Sequence, residues 1–351
     1  MSACHPLELQ LAEAWPAEAW QEVSVLIAVS GGVDSVALAV SLSRLKLRQA
    51  GAGRLWLGHF NHGLRGKASD HDERRVRNLS RQLQLPLRVG RRGRTSFCRR
   101  GDGLEASARR ARYTFLRKEA ESCGARYVVT AHTADDQAET VLHRIVRGTG
   151  LAGLAGIRRA RPLGPAVTIV RPLLAVRRGV LKDYLHELHV PYSSDASNQD
   201  VRFTRNRIRH DLLPKLRQDY NPLVVDALLR LAQLASEVQS ITDGLVQTLA
   251  RRARRTERDG SIVLRRDALA AEPIYLIREL LKATWAAQDW PCQAMGYREW
   301  DRVARAINGP AGPVPAQIMP GEILVEGTPS HVTLRSSNTA SIQREPARGD
   351  G

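Results

Sequence analysis

Cysteine is scarce and scattered: Cys4, Cys98, Cys123 and Cys292 stand alone in 351 residues, with no Cys-x-x-Cys pair. That spacing excludes a zinc ribbon, a disulfide framework and a cysteine-ligated iron–sulfur centre. No apolar run approaches the length of a membrane span. The start of the chain carries Glu8, Glu13 and Glu18 instead of the basic and apolar regions of a secretory leader. A soluble, cytoplasmic protein with no membrane partner is expected. Lysine is nearly missing as well, supplying only six of the 53 basic residues, so arginine carries the charge. With only 36 acids to offset it, the net charge is +17. Such an excess points to a polyanionic partner, nucleic acid first, and the planar guanidinium fork suits phosphate.

What is present is enough apolar residue, 43%, to build two cores. Residues 24–29, 54–60, 86–89, 126–131 and 167–171 read as strands. Helical patterns lie over 33–49, 69–84, 105–122, 135–147 and 177–189. This alternation predicts an α/β fold, a doubly wound and mostly parallel sheet over residues 1–218. A small helical domain is expected over 219–308, a short β-like segment over 309–335, and a disordered tail over 336–351. Two glycine patterns, Gly148-x-Gly150-x-x-Gly153 and Gly101-x-Gly103-x-x-Ala106, match a dinucleotide fingerprint by letter only, because no strand precedes either.

The densest signal is Val25-Leu26-Ile27-Ala28-Val29 running into Ser30-Gly31-Gly32-Val33-Asp34-Ser35 and then a helix. A strand, a glycine turn and a helix N-terminus in succession present unpaired amides and a positive dipole end to an anion. Gly31 and Gly32 permit close approach of a phosphate, Ser30 and Ser35 offer hydroxyls, and Asp34 suits a Mg²⁺ shared with phosphates. No Gly-Lys-Ser/Thr closes the loop, so it is not a Walker loop. The segment resembles the loop of the N-type ATP pyrophosphatases, which implies cleavage of ATP to AMP and diphosphate with activation of a carbonyl oxygen.

Further candidates sit at the same predicted rim. His132, Asp135 and Asp136 follow a strand. Capping explains one carboxylate, and Asp136 is the second candidate Mg²⁺ ligand. His132 is either a phosphate contact or the partner of a loop carbonyl. His62 and Arg65, in His59-Phe60-Asn61-His62-Gly63-Leu64-Arg65, fall where nucleotide-binding sheets touch adenine, ribose or phosphate. Arg109, Arg110 and Arg112 spread around one helix, so at least one is expected to face solvent. Arg202, Arg205, Asn206, Arg207 and Arg209 form a basic patch suited to nucleic acid.

Taken in order, these segments resemble the tRNA(Ile)-lysidine synthase family over about residues 22–220. Besides Ser30–Ser35, the resemblance rests on Asn61 to Arg65, Glu105 to Tyr113, and Thr130 to Thr140. It extends through Arg147-Gly148-Thr149-Gly150, Arg171-Pro172-Leu173-Leu174 and Asp195 to Leu213. Thr133 stands where the family often has a second His. After residue 220 the likeness is only helical and basic, with the C-terminal module of longer members reduced to about 310–335. The resemblance implies an ATP-dependent ligase forming a carbon–nitrogen bond. ATP adenylates O2 of the wobble cytidine in the CAU anticodon of tRNA(Ile), and free L-lysine then displaces AMP to give lysidine. The implied catalytic set is Asp34, Asp136, His132 and Arg112, with ATP and Mg²⁺ as cofactors and tRNA(Ile) as partner; a homodimer is compatible with the sequence. A tRNA thiolase of the same superfamily is the nearest alternative. A non-catalytic RNA-binding protein on a degenerate nucleotide fold is the other.

Overall fold

A computed structural model describes residues 4–63, 66–91, 104–193, 204–292, 295–310 and 312–337, without the side chains of Lys67, Leu104 and Glu105. The described chain divides into two compact units, with the boundary between Ser236 and Glu237.

The first unit opens with α1 (Pro6–Ala14), started by His5 as N-cap in a reciprocal bond set with Glu8. Then come β1 (Ser24–Ala28), α2 (Val33–Leu47), β2 (Leu55–Asn61), α3 (Lys67–Leu83), β3 (Leu87–Arg91), α4 (Leu104–Ser122) and β4 (Ala125–Val129). After α5 (Ala134–Val146) and the single turn α6 (Leu151–Leu154), β5 (Ala160–Pro162) and β6 (Thr168–Val170) form a hairpin. The unit continues through α7 (Arg178–Glu187) and α8 (Thr204–Arg207), then a π-turn at Ile208–Leu212, α9 (Leu213–Asp219) and the start of α10 (Val224–Ala253). The strand order is β3-β2-β1-β4-β6-β5, parallel throughout except for β5 against β6.

Both faces of β1 are covered, which is why it reads as an unbroken apolar run. Val25 and Ile27 pack with α1, α2 and α7, while Leu26 packs on the other face with Tyr113, Leu116 and Ala120 of α4. The chain winds outward from β1 to β2 and β3, then returns to the far side of β1 with β4. This reversal opens a crevice beyond the carboxyl ends of β1 and β4, where ligands of such sheets bind.

The sequence reading passes over α1, α6, α8, α9 and β5, and two of these bear on how the sheet is held and bordered. One is α1, whose Glu8 is fully buried and accepts from Arg44 Nε, from Arg48 Nη1 at 2.7 Å and from Tyr184 Oη at 2.9 Å. This carboxylate joins α1 to α2 and α7. The other is β5, three residues long and ending in proline.

In the second unit, expected to be helical up to residue 308, helices α11 (Ile274–Ala287) and α12 (Tyr297–Asn308) share the core with strands. Strands β7 (Arg254–Thr256), β8 (Ile262–Arg265), β9 (Val314–Met319), β10 (Ile323–Gly327) and β11 (His331–Ser336) form an antiparallel sheet ordered β7-β8-β11-β10-β9. Its core centres on Trp285, edge-on to Trp290 and Trp300. Buried Arg266 binds this unit together by donating to the carbonyls of Ile307, Gly309, Pro310, Gly312 and Thr328. Residues 338–351, which include most of the expected tail, lie outside the described residues.

Candidate active site

The turn after β1 is held by its own serines. Ser35 Oγ accepts from Ser30 N at 3.1 Å and donates to Gly32 O at 3.0 Å, and the two hydroxyls are 3.1 Å apart. Gly31 has φ +96°, a conformation other L residues resist. Gly32 caps α2 without a side-chain hydrogen bond, leaving the first-turn amides to a ligand or to water. Ser193, just before residues outside the description, donates its amide to Gly31 O at 2.8 Å and braces the turn.

The turn after β4 is built by a residue whose role the sequence did not disclose. Thr133 is the N-cap of α5, accepting from Asp136 N, while Asp136 Oδ2 accepts from Thr133 N at 3.0 Å and Thr133 Oγ1 at 3.1 Å. That reciprocal box orients Asp136 with its second oxygen free to meet cations. His132 stands beside it with Nδ1 3.0 Å from Thr130 Oγ1. Burial, with help from Arg171, Arg112 and Arg109, holds the His132 imidazole well below its ordinary pKa against the pull of Asp136. It is therefore neutral near neutral pH.

Asp34 and Asp136 come together on one guanidinium. Arg178, the first residue of α7, reaches Asp34 Oδ2 at 2.8 Å and Asp136 Oδ1 at 3.6 Å, and its amide donates to Asp135 Oδ2 at 2.8 Å. Arg205 and Arg209 close the other side, 3.0 and 3.2 Å from Asp136 Oδ1. Both also donate to buried Glu139. Burial raises the Asp34 carboxyl above its ordinary pKa, only partly offset by Arg178. For Asp136 burial acts in the same direction, but Arg205, Arg178 and the Thr133 amide outweigh it and the net shift is downward. Two carboxylates within reach of one cation fit a Mg²⁺ bound by one or two carboxylates plus phosphate oxygens. Among the described residues there is no cluster of three or more His, Cys, Asp or Glu able to hold a metal alone.

Of the remaining sequence candidates, some gather at the carboxylates and others do not. His62 is edge-on to Phe60, 4.8 Å between ring centroids, and Phe60 in turn packs on Phe115 of α4. Arg65 and Arg202 lie outside the described residues. Arg112 is half-buried with its Cζ 5.3 Å from the Tyr113 ring. Of the expected nucleic-acid contacts, Arg207 is exposed, Asn206 is half-buried, and Arg205 and Arg209 turn inward to the carboxylates. Asn61 is an anchor: its Nδ2 donates to Glu73 and Asp70, and its Oδ1 accepts from Gly63 N.

Sequence reasoning passed over Arg178, the residue that joins the two carboxylates. A signal was available: Arg177 and Arg178 stand at the N-terminus of α7, where the helix dipole disfavours cations. Such a placement calls for a compensating anion. Next to this cluster a cavity of about 190 Å³ is lined by Asp135, Glu139, Arg178, Arg209, Arg217, Leu213 and Val225 among others.

Comparison with known proteins identifies the family of the chain. The PP-loop domain family matches residues 7–216. The tRNA(Ile)-lysidine synthase of Geobacter sulfurreducens is 37% identical over 336 residues, covering 93% of this chain and 68% of that protein. That of Rhodopirellula baltica is 38% identical, covering 69% of this chain and 65% of its own length. That of Solibacter usitatus is 35% identical, covering 82% and 62%. The chain thus spans 62 to 68% of the length of these three relatives. Among solved structures, the U34-tRNA thiolase NcsA from Methanococcus maripaludis with its [4Fe-4S] cluster aligns with TM-score 0.54. The alignment covers 65% of this chain and 78% of that one at 15% identity, a likeness of fold alone. With the family's domain over most of the first unit and a relative matched along nearly the whole chain, this protein belongs to the PP-loop family and, within it, to the tRNA(Ile)-lysidine synthases.

Proposed function

We propose that the chain itself carries out lysidine synthesis. ATP adenylates O2 of the wobble cytidine in the CAU anticodon of tRNA(Ile), releasing diphosphate. The ε-amine of free L-lysine then attacks C2 and expels AMP. The observation that carries this reading is the meeting of Asp34 and Asp136 at Arg178, beside the glycine turn. The turn's amides hold the departing diphosphate, as developing charge at a helix N-terminus requires. Asp34 and Asp136 would hold Mg²⁺, which when bound offsets phosphate charge. His132, kept neutral, adds no charge beside Asp136 and can accept or donate one hydrogen bond.

The cavity next to the carboxylates suits lysine in each of its parts. Asp135 and Glu139 match an ammonium, Arg209 and Arg217 match the α-carboxylate, and Leu213 and Val225 match the methylene chain. Three guanidiniums against two carboxylates also favour the neutral ε-amine, the form that attacks. A cytoplasmic site of action accompanies this reading, and among the described residues no helix is long and apolar enough to cross a membrane. The thiolase alternative is disfavoured by the absence of Cys-x-x-Cys.

The test is incorporation of labelled lysine into unmodified tRNA(Ile) with ATP, alongside diphosphate release. Asp34→Ala is expected to abolish adenylation while tRNA affinity holds, and Glu139→Gln to raise KM for lysine more than KM for ATP. Diphosphate release that depends on the tRNA without lysine entering it would sink the proposal.

A further inference from the structure

On the face of the sheet opposite α2, one side of α4 presents Ala106, Arg109, Tyr113 and Arg117, spaced three to four residues apart. Across from them stand Arg161 and Leu163 at the antiparallel edge of the sheet, and together they line a cavity of about 460 Å³. Tyr113 is buried, and three guanidiniums gather on its ring: Arg109 at 5.0 Å, Arg161 at 5.1 Å and Arg112 at 5.3 Å from the centroid. Arg109 Nη2 also donates to the phenol oxygen at 3.3 Å.

Behind them Arg171 is only 2% exposed. It donates to Arg158 O at 2.6 Å, while its Nε meets no acceptor among the described residues. None of Arg109, Arg112, Arg161 and Arg171 forms an ion pair with a carboxylate among the described residues, and the strongest charges felt by Arg112 and Arg171 are Tyr113 and other guanidiniums. This contrasts with Arg178, Arg205 and Arg209, each matched by an acid.

Three like charges on one ring, with the buried guanidinium of Arg171 in the same cluster, repel one another. The quadrupole of a single ring offsets only part of that, so the arrangement is completed by an anion brought from outside. Guanidinium forks select phosphate oxygens, and their planes also accept a stacked base. We propose that this arginine basin around Tyr113 binds the phosphodiester backbone of the RNA next to the target base.

The inference rests on the lysidine-synthase reading and adds the surface over which the RNA reaches the site. RNA is favoured over the ATP triphosphate by position. The glycine turn leads into α2, which packs with Val25 and Ile27, whereas the basin is on the α4 face, which packs with Leu26. Continuity with the reactive centre runs across adjoining strand ends: Arg171 directly follows Val170, whose carbonyl accepts from Thr130 N at 3.0 Å, and Thr130 Oγ1 is 3.0 Å from His132 Nδ1. A polymer passes from one to the other; a triphosphate held in the turn is too short to need both.

The experiment measures binding of a fluorescein-labelled CAU anticodon stem-loop to the full chain by anisotropy across a salt series. Arg161→Gln and Arg109→Gln are expected each to weaken binding several-fold. Each should also reduce the slope of log K against log salt by about 0.7, the value for one lost phosphate contact on a single strand. Arg161→Lys is expected to restore the slope, and affinity for a non-hydrolysable ATP analogue should be unchanged in Arg161→Gln. An unchanged slope would make the cluster mere packing, and lost analogue affinity would make it a triphosphate site; either overturns the proposal. Because the readout needs neither lysine nor turnover, it can fail while lysine transfer stands, or stand while lysine transfer fails.

Discussion

Replacing Glu73 by Gln removes one negative charge and little else. Glu73, on α3, is 3% exposed and receives Arg91 through Nε and Nη2, both at 3.0 Å. Arg77 Nη2 adds a bond at 2.9 Å and Asn61 Nδ2 another at 3.1 Å. One carboxylate thereby ties the end of β3 and the end of β2 to α3, beneath the loop that carries His62. Led by Arg91, these donors lower its pKa from 4.5 to about 2 in spite of burial. At 1.36 kcal/mol per unit that shift has a ceiling of ~3.4 kcal/mol. Water screens the pairs, because Arg91 and Arg77 are 66% and 49% exposed, so ~1–2 kcal/mol is expected. The folded pKa is the lower one, so the contribution is fully present above the unfolded value of 4.5 and is lost as pH falls through about 2. Urea unfolding of wild type and Glu73→Gln, followed by circular dichroism at a series of pH values, measures the difference directly. The gap should be constant at neutral pH and narrow below 4.5. A gap that stays the same on acidification would refute the electrostatic account, since a packing defect does not titrate.

Three other outcomes follow from geometry. Arg266→Met should destabilise the second unit by ~3–5 kcal/mol, because five carbonyls lose a charged donor; an unmoved unfolding midpoint would contradict that role. Gly90→Ala would put a Cβ 2.4 Å from the Phe115 ring and should cost ~1–3 kcal/mol, read from thermal unfolding. Gly31→Ala forces a side chain onto φ +96°, at ~1–2 kcal/mol. Its binding of an ATP analogue should fall further than its melting temperature indicates, and equal effects on both would place the strain outside the ligand site.

The parallel sheet was legible chiefly through its central strand β1, which is covered on both faces and so reads as a continuous apolar run. The glycine turn was legible because its chemistry is local. The rest depended on distance or on edges. Arg178 meets Asp34 from 144 residues away, and no spacing rule spans such a gap. Thr133 departs from a family motif, yet its hydroxyl and amide set the orientation of Asp136. Glu8 stands in the sequence as one of several early acids, and its role as the buried tie between three helices depends on partners 36 to 176 residues away. In the second unit, β7 is Arg-Arg-Thr and β9 contains Pro315. Both are edge strands, half-exposed, so their composition resembles a loop.

The margins of the parallel sheet have a bearing on how this protein behaves at high concentration. A sheet edge is a template for other chains, and uncovered ones seed aggregates. Here one margin is β3, with Arg88 and Arg91, and the other is β5, with Arg161 beside Pro162, which has no amide proton to give. A strand arriving at the first would have to bury charged side chains, and at the second it meets a charged side chain and a missing donor. An arginine-rich composition thus works as a solubility device at both borders, and exchanging Pro162 and Arg161 for β-formers would be the direct way to make this fold polymerise.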